Sequence, residues 1–237
     1  MTSQHSSAAD AIAGVAHNGS TVAVGGFGLS GNPTDLIEAL RDTGAKDLVI
    51  VSNNMGVDGK GLGLLLENHQ VRKVIASYVG ENRLFAQQYL NNEIEVELVP
   101  QGTLAERLRA GGAGIPGFYT RTGVGTLVAE GKPHKEFDGE MYVLERGIVT
   151  DVALVHAHTA DIAGNMTYHR TARNFNPIVA TAGRITIAEA EVLLDDEFID
   201  PDIVMTSGIF VNRLVRCTAR VKEIEQRTTR PRERTSA

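Results

Sequence analysis

The sequence has 237 residues, 42% hydrophobic and 5% aromatic, with a formal net charge of −6 at pH 7. That length suits one large α/β domain or two small ones, and the acidic balance argues against a nucleic-acid or membrane-surface protein, whose partners demand basic patches. A single cysteine, Cys217, excludes an intramolecular disulfide and fits a reducing compartment.

Residues 1–10 are polar and lack the apolar centre of a secretory signal, and no apolar run approaches a membrane span, so the expectation is a cytoplasmic protein. Ser7-Ala8-Ala9-Asp10 has the form of a capping box, with Ile12, Val15 and Ala16 following at helical spacing. The β-branched run Thr21–Val24 reads as a strand. It enters a loop carrying Gly25, Gly26, Gly28 and Gly31, after which Asn32 as N-cap and Pro33 as first helical residue open a helix ending near Thr43 and Gly44. A strand, a glycine loop and a helix N-terminus in that order form a device for holding an anion. Residues 47–52 read as a buried strand ending in Ser52-Asn53-Asn54, and residues 71–77 as another, followed by a helix over 81–90.

In 93–99, Ile94, Val96 and Leu98 alternate with Glu93, Glu95 and Glu97, the pattern of a half-exposed strand near a sheet edge. Thr103-Leu104-Ala105-Glu106 reads as a capping box whose helix ends at Gly111-Gly112. Residues 111–133 are glycine-rich and without periodicity, and a loop of that length in a compact domain is usually functional. Asp138-Gly139 is a hairpin turn, and 151–157 and 184–190 are further strands. The basic stretch from Arg227 to Arg234 reads as part of a solvated, frayed tail over 227–237. Strands alternating with helices predict an α/β fold: an open, mostly parallel sheet with helices on both faces plus a smaller antiparallel or hairpin portion, with 1–237 as a single domain.

Gly26-Phe27-Gly28-Leu29-Ser30-Gly31 matches the dinucleotide fingerprint G-x-G-x-x-G, but that site needs an acidic residue at the end of the next strand, where this chain has asparagines. A nucleophile elbow fails because the second glycine after Ser30 is misplaced, and a P-loop fails for want of a closing Gly-Lys-Ser/Thr. A plain turn with no ligand remains, though so many glycines cost folding entropy that a plain turn does not require.

The loop with its preceding strand resembles the signature of family I coenzyme A transferases, in their alpha subunit. The likeness continues in Ser52-Asn53-Asn54-Met55-Gly56-Val57, in Ala76-Ser77-Tyr78-Val79-Gly80-Glu81-Asn82, from Val96 through Pro100-Gln101-Gly102-Thr103 to Pro116, and in Thr171-Ala172-Arg173-Asn174-Phe175-Asn176-Pro177. It covers nearly the whole chain. Within the family the chain is most similar to the succinyl-CoA:3-oxoacid type, a choice carried by Ser77 to Asn82. The resemblance implies ping-pong transfer of CoA from succinyl-CoA to a 3-oxoacid such as acetoacetate, through a glutamyl-CoA thioester. The nucleophilic glutamate is expected on a beta (B-type) subunit in a Ser-Glu-Asn-Gly motif, in a heterotetramer of two chains of each kind. No catalytic residue is expected in this chain, since Asn53 stands where that glutamate would be and an amide cannot form the anhydride. Acyl-CoA is expected as substrate, with no permanently bound cofactor.

Gly25, Gly26, Phe27, Gly28, Leu29, Ser30 and Gly31 are the expected CoA-binding residues, by resemblance and by glycine physics. Asn53 and Asn54, at the carboxyl end of a strand, and Gln101, whose neutral amide can orient a carboxylate, are expected to line the active site, with Phe118 and Tyr119 as walls. Glu81 is a second nucleophile candidate, against the plainer reading that it starts a helix. Ser30 and Met55 depart from cysteines often found there in relatives, which touches packing rather than mechanism. His156 and His158 share a strand face, with Asp161 and His169 near in sequence; hydrogen-bonded histidines without a metal are expected. The alternatives left open are a CoA transferase for another acid, such as 3-oxoadipate or a short-chain fatty acid, and a non-catalytic CoA- or sugar-phosphate-binding module.

Overall fold

The structure, a computed structural model, describes residues 2–218, and the expected tail at 227–237 lies outside them. Ser7 caps α1 (Ala8–Ile12), its hydroxyl accepting the Asp10 amide at 3.1 Å. Before it runs a strand that no periodicity marks, β1 (Ser3–His5), which adds in parallel to β12 (Arg213–Arg216) at one edge of the main sheet.

That sheet also holds β2 (Thr21–Val24), β3 (Leu48–Val51), β4 (Val71–Ala76), β5 (Glu95–Leu98), β9 (Thr150–Asp161) and β11 (Gly183–Leu194). Its order is β1-β12-β11-β9-β2-β3-β4-β5, all parallel, with the short β10 (Met166–Thr167) antiparallel to β9. Strands buried on both faces need apolar residues at every position. Accordingly Val22, Ala23 and Val24 are all fully buried. Val22 and Val24 join Val152, Leu154 and Ile187 in one core with α1, α2 (Thr34–Asp42), α3 (Gly63–Glu67) and α4 (Arg83–Leu90). Ala23, Ala153 and Ala188 face the opposite core with α5 (Gln101–Gly112) and α6 (Asn176–Ala182). The expected helices on both faces are thus present.

From β2 the chain steps outward through β3, β4 and β5; from β9 it steps the other way through β11 and β12. The reversal between β2 and β9 is a topological switch point, where open α/β sheets bind ligands beyond the strand carboxyl ends.

Residues 111–133 are less loop-like than expected. α5 runs through Gly112, β6 (Gly117–Thr120) follows, and a 3-10 turn spans Leu127–Ala129. α5 ends at Gly112, as expected, and its last glycines also let it pack closely, since a Cβ on Gly111 would lie 1.9 Å from the Ile148 carbonyl oxygen. α5 also starts before the Thr103 box, at Gln101 with Pro100 as cap, and Thr103 is buried. β6 pairs antiparallel with β8 (Glu140–Arg146), and β8 with β7 (His134–Phe137) through the expected Asp138-Gly139 turn, forming a separate three-stranded sheet. β5 is the edge strand expected from its alternation, although Leu98 is exposed and Glu97 is turned toward Arg107 of α5.

Candidate functional site at the switch point

The glycine loop leaves β2 with the Gly25 N–H donating to the Leu154 carbonyl at 2.9 Å, which fixes its root to β9. Phe27 and Ser30 exchange two main-chain bonds of 3.0 Å each, so Gly28-Leu29 is a two-residue turn and Phe27 stands 46% exposed at the tip. Three of the loop's N–H groups are therefore engaged internally, fewer free donors than the sequence led us to expect.

Two asparagines before and inside α6 hold the rest. Asn174 Nδ2 donates to the Ser30 carbonyl at 2.9 Å. Asn176, fully buried, donates from Nδ2 to the Gly31 and Ala172 carbonyls at 3.0 and 2.8 Å and accepts the His156 N–H at Oδ1. A Cβ on Gly25 would lie 1.9 Å from Asn176 Oδ1, so only glycine permits this approach.

The helix entry differs from expectation. Pro33, not Asn32, is the cap residue of α2, without a side-chain cap, and the helix begins at Thr34. Asn32 turns back toward the loop, where its Oδ1 would meet a Cβ on Gly26 at 1.8 Å. The Leu36 N–H in the first turn donates to Glu189 Oε2 at 3.0 Å in a buried contact. An internal carboxylate thus occupies the helix-end position the sequence suggested for a ligand anion.

Beyond the carboxyl ends of β2, β3 and β4 lies a cavity of about 440 Å³. It brings together five of the residues expected to bind CoA or line the site: Phe27 and Gly28 from the loop, Asn53 and Asn54 after β3, and Gln101 at the start of α5. Gly25 and Gly26 are buried; Leu29, Ser30 and Gly31 are partly buried and outside its lining. Phe118 and Tyr119 are also outside it, on β6, where Tyr119 packs edge-on against Phe137 at 5.4 Å.

Ser77, Tyr78 and Glu81, which follow β4, complete the lining. The rule that revealed Asn53 after β3 applies equally to them. Glu81 does not start α4: Asn82 is the N-cap, its Oδ1 accepting the Phe85 N–H at 2.8 Å. Glu81 instead sits at φ 69°, exposed, in a conformation uncommon for a residue with a side chain. Among the described residues it is the one charged group of the lining.

Asn53 is 2% exposed. Its Nδ2 donates to Ser77 Oγ at 2.8 Å, and that hydroxyl donates to the Asn53 carbonyl at 3.1 Å, which fixes the orientation of the amide. Oδ1 has no hydrogen-bond partner among the described residues. A buried acceptor left this way costs about 1–3 kcal/mol, which marks the position as incomplete without a donor.

Elsewhere, a second cavity of about 370 Å³ lies between α5 and the small sheet. Its charges pair among themselves: Arg107 with Glu97 at 2.6 Å and Lys132 with Glu145 at 2.6 Å. Burial would raise the Glu97 pKa, but Arg107 and Lys73 outweigh it and hold the carboxyl below its ordinary value. His156 is hydrogen-bonded as expected, Nδ1 to Glu189 and Nε2 to Glu191 at 3.0 Å each, and His158 Nδ1 lies 3.0 Å from Glu191. Asp161 is not part of that cluster; it accepts the amides of Ala163, Asn165 and Ile199.

Residues 5–216 match the family described as Coenzyme A transferase. A protein of Bacillus subtilis (strain 168), named as the A-type subunit of a probable succinyl-CoA:3-ketoacid coenzyme A transferase, is 62% identical over 90% of this chain and 89% of its own length. The corresponding subunit of the succinyl-CoA:3-ketoacid coenzyme A transferase of Xanthomonas campestris pv. campestris (strain B100) is 58% identical over 96% of this chain and 94% of its own. Among solved structures, an acyl-CoA transferase of E. coli O157:H7, crystallised as a thioester complex with CoA, has the same fold: TM-score 0.81 at 24% identity, over 91% of this chain. This chain spans about half of that one, 47%. Among the described residues no helix is long and apolar enough to cross a membrane.

Proposed function

The chain belongs to the coenzyme A transferase family, and from that premise we propose that it is the alpha subunit of a heteromeric enzyme moving CoA from succinyl-CoA to acetoacetate. A companion beta chain supplies the nucleophilic glutamate, in a Ser-Glu-Asn-Gly motif. Its carboxylate attacks the thioester carbonyl, giving a mixed anhydride and releasing the CoA thiolate. The thiolate then attacks the glutamyl carbonyl, succinate leaves, and a glutamyl-CoA thioester remains for the acceptor acid to repeat the steps in reverse.

This chain binds and orients. The observation that carries the reading is Asn53 Oδ1, a buried acceptor without a partner among the described residues, beside the exposed loop tip. A carboxylate or an oxyanion only accepts hydrogen bonds, so neither can complete Asn53. The amide N–H groups of the CoA pantetheine arm can. Phe27 offers that arm an apolar wall, and Gln101 presents a neutral amide to the carboxylate of the acid. Among the described residues no Lys or Arg lines the cavity, so positive charge for the acid comes from the companion. The names of the Bacillus and Xanthomonas relatives support both the substrate pair and the division into subunits.

Glu81 supports a second reading, in which this chain carries the nucleophile, because its carboxylate lines the same cavity. One experiment separates the two. The chain is assayed for CoA exchange alone and with its companion, and the thioester is trapped with borohydride. We expect no turnover alone, turnover with the companion, and label on the companion. Turnover by the isolated chain, or label at Glu81, overturns the proposal. An acceptor panel including 3-oxoadipate and short-chain acids fixes the acid.

A further inference from the structure

Outside the cavity, a cluster of ligating groups among the described residues lies across three neighbouring strands. His156 is on β9, Glu189 is its register partner on β11, and Cys217 follows β12, tied by its N–H to the Ala190 carbonyl at 2.9 Å. One ligating atom from each of the three lies within 4.8 Å of the other two. In a zinc site with bonds of about 2.0–2.3 Å, neighbouring ligand atoms are about 3.3–3.8 Å apart. The three atoms thus stand close to the separations that ligands of one ion would take.

The surroundings are those of a metal centre. A metal-bound histidine generally gives its other ring N–H to a carboxylate, and here both ring nitrogens face one: Glu189 Oε1 and Glu191 Oε1, each at 3.0 Å. Glu189 can ligate through one oxygen while the other stays with the Leu36 N–H at 3.0 Å. Its side chain is 2% exposed and that of His156 14%.

We propose that His156, Glu189 and Cys217 form a binding site for a zinc-class divalent cation, with Glu191 orienting the histidine and a fourth position left to water. The nitrogen, oxygen and sulfur donors select a borderline-soft ion over calcium or magnesium. Binding forms three metal–protein bonds and releases the thiol proton, together with the ring proton of His156 where the imidazole is charged. The bound ion fastens the middles of β9 and β11 to the end of β12, beside the first turn of α2. It also sits one residue from the glycine loop, because Asn176 joins the His156 N–H to the Gly31 carbonyl.

The chain has one cysteine, which makes the test specific: any thiolate-to-cobalt charge-transfer absorption reports this site and none of the other histidines. The full chain, stripped with chelator, is titrated with Co²⁺ and then Zn²⁺ while the near-ultraviolet spectrum is followed. The expected result is one charge-transfer-active Co²⁺ per chain, displaced by one equivalent of Zn²⁺. Cys217→Ser should lose the absorption while keeping the circular dichroism of the parent. Glu191→Gln should keep it but weaken Zn²⁺ binding by about 10–100-fold, measured against a chromophoric chelator. His156→Ala should lose it as well; if that variant does not fold, His156→Gln serves. Absence of charge-transfer absorption in the parent, or unchanged Zn²⁺ affinity in Cys217→Ser, overturns the site.

Discussion

The two cavities are similar in size, about 440 and 370 Å³, and opposite in how their polar groups are satisfied. Between α5 and the small sheet, Glu97, Arg107, Lys132 and Glu145 neutralise one another and bridge two sheets. At the switch point the lining is almost uncharged, and one amide oxygen is buried without a partner among the described residues. A hole filled with mutually paired charges is a joint. One with a missing donor is where, on the function proposed above, an outside molecule completes the structure, a distinction that charge density alone does not draw.

Cutting the joint should give the largest effect. Arg107→Ala leaves Glu97 and Glu145 facing each other with only their lysines, and unfolding in urea should show a loss of about 3–5 kcal/mol, with CoA transfer per folded molecule unchanged. Stability close to the parent's would mean the ion pairs do not hold the sheets together. Gly25→Ala pushes a Cβ into Asn176 and displaces the loop; kcat in the reconstituted enzyme should fall about 100-fold. Asn53→Ala should do the reverse of Arg107→Ala. Losing one substrate hydrogen bond lowers kcat/KM about tenfold, while removing the orphaned oxygen keeps the urea midpoint near the parent's. A marked loss of stability with full activity would make Asn53 part of a joint too.

The smallest effect is on pH dependence. Glu97 has a depressed folded pKa, so its contribution is present above the unfolded carboxyl value and disappears as pH falls through the folded one. Urea midpoints measured below the ordinary carboxylate range should decline less steeply in Glu97→Gln than in the parent.

The sequence displayed the central strands well, because β2 and β3 are apolar apart from Thr21, and Asp138-Gly139 announced its hairpin. It displayed less where tertiary contact overrides local preference. β1 is three polar residues that become a strand only because β12 offers an edge, and β6 owes its conformation to β8. Of the candidate site, the loop tip, both asparagines and Gln101 were singled out through strand-end logic and resemblance, and the fold gathers them round one cavity. The buttressing role of Asn176 was not, since it depends on a contact 145 residues away in the chain. Nor was Glu189, whose position at the end of α2 depends on pairing between β9 and β11.

The place of β2 in the sheet bears on how the polypeptide is made. Its partner on one side, β3, emerges from the ribosome soon after it, but its partner on the other side, β9, lies about 130 residues downstream. At about 5–20 residues per second, the flank carrying Val22 and Val24 waits roughly ten seconds as an open, sticky strand edge. Translational pausing between those segments should therefore raise aggregation of the nascent chain more than pausing after β9 has appeared.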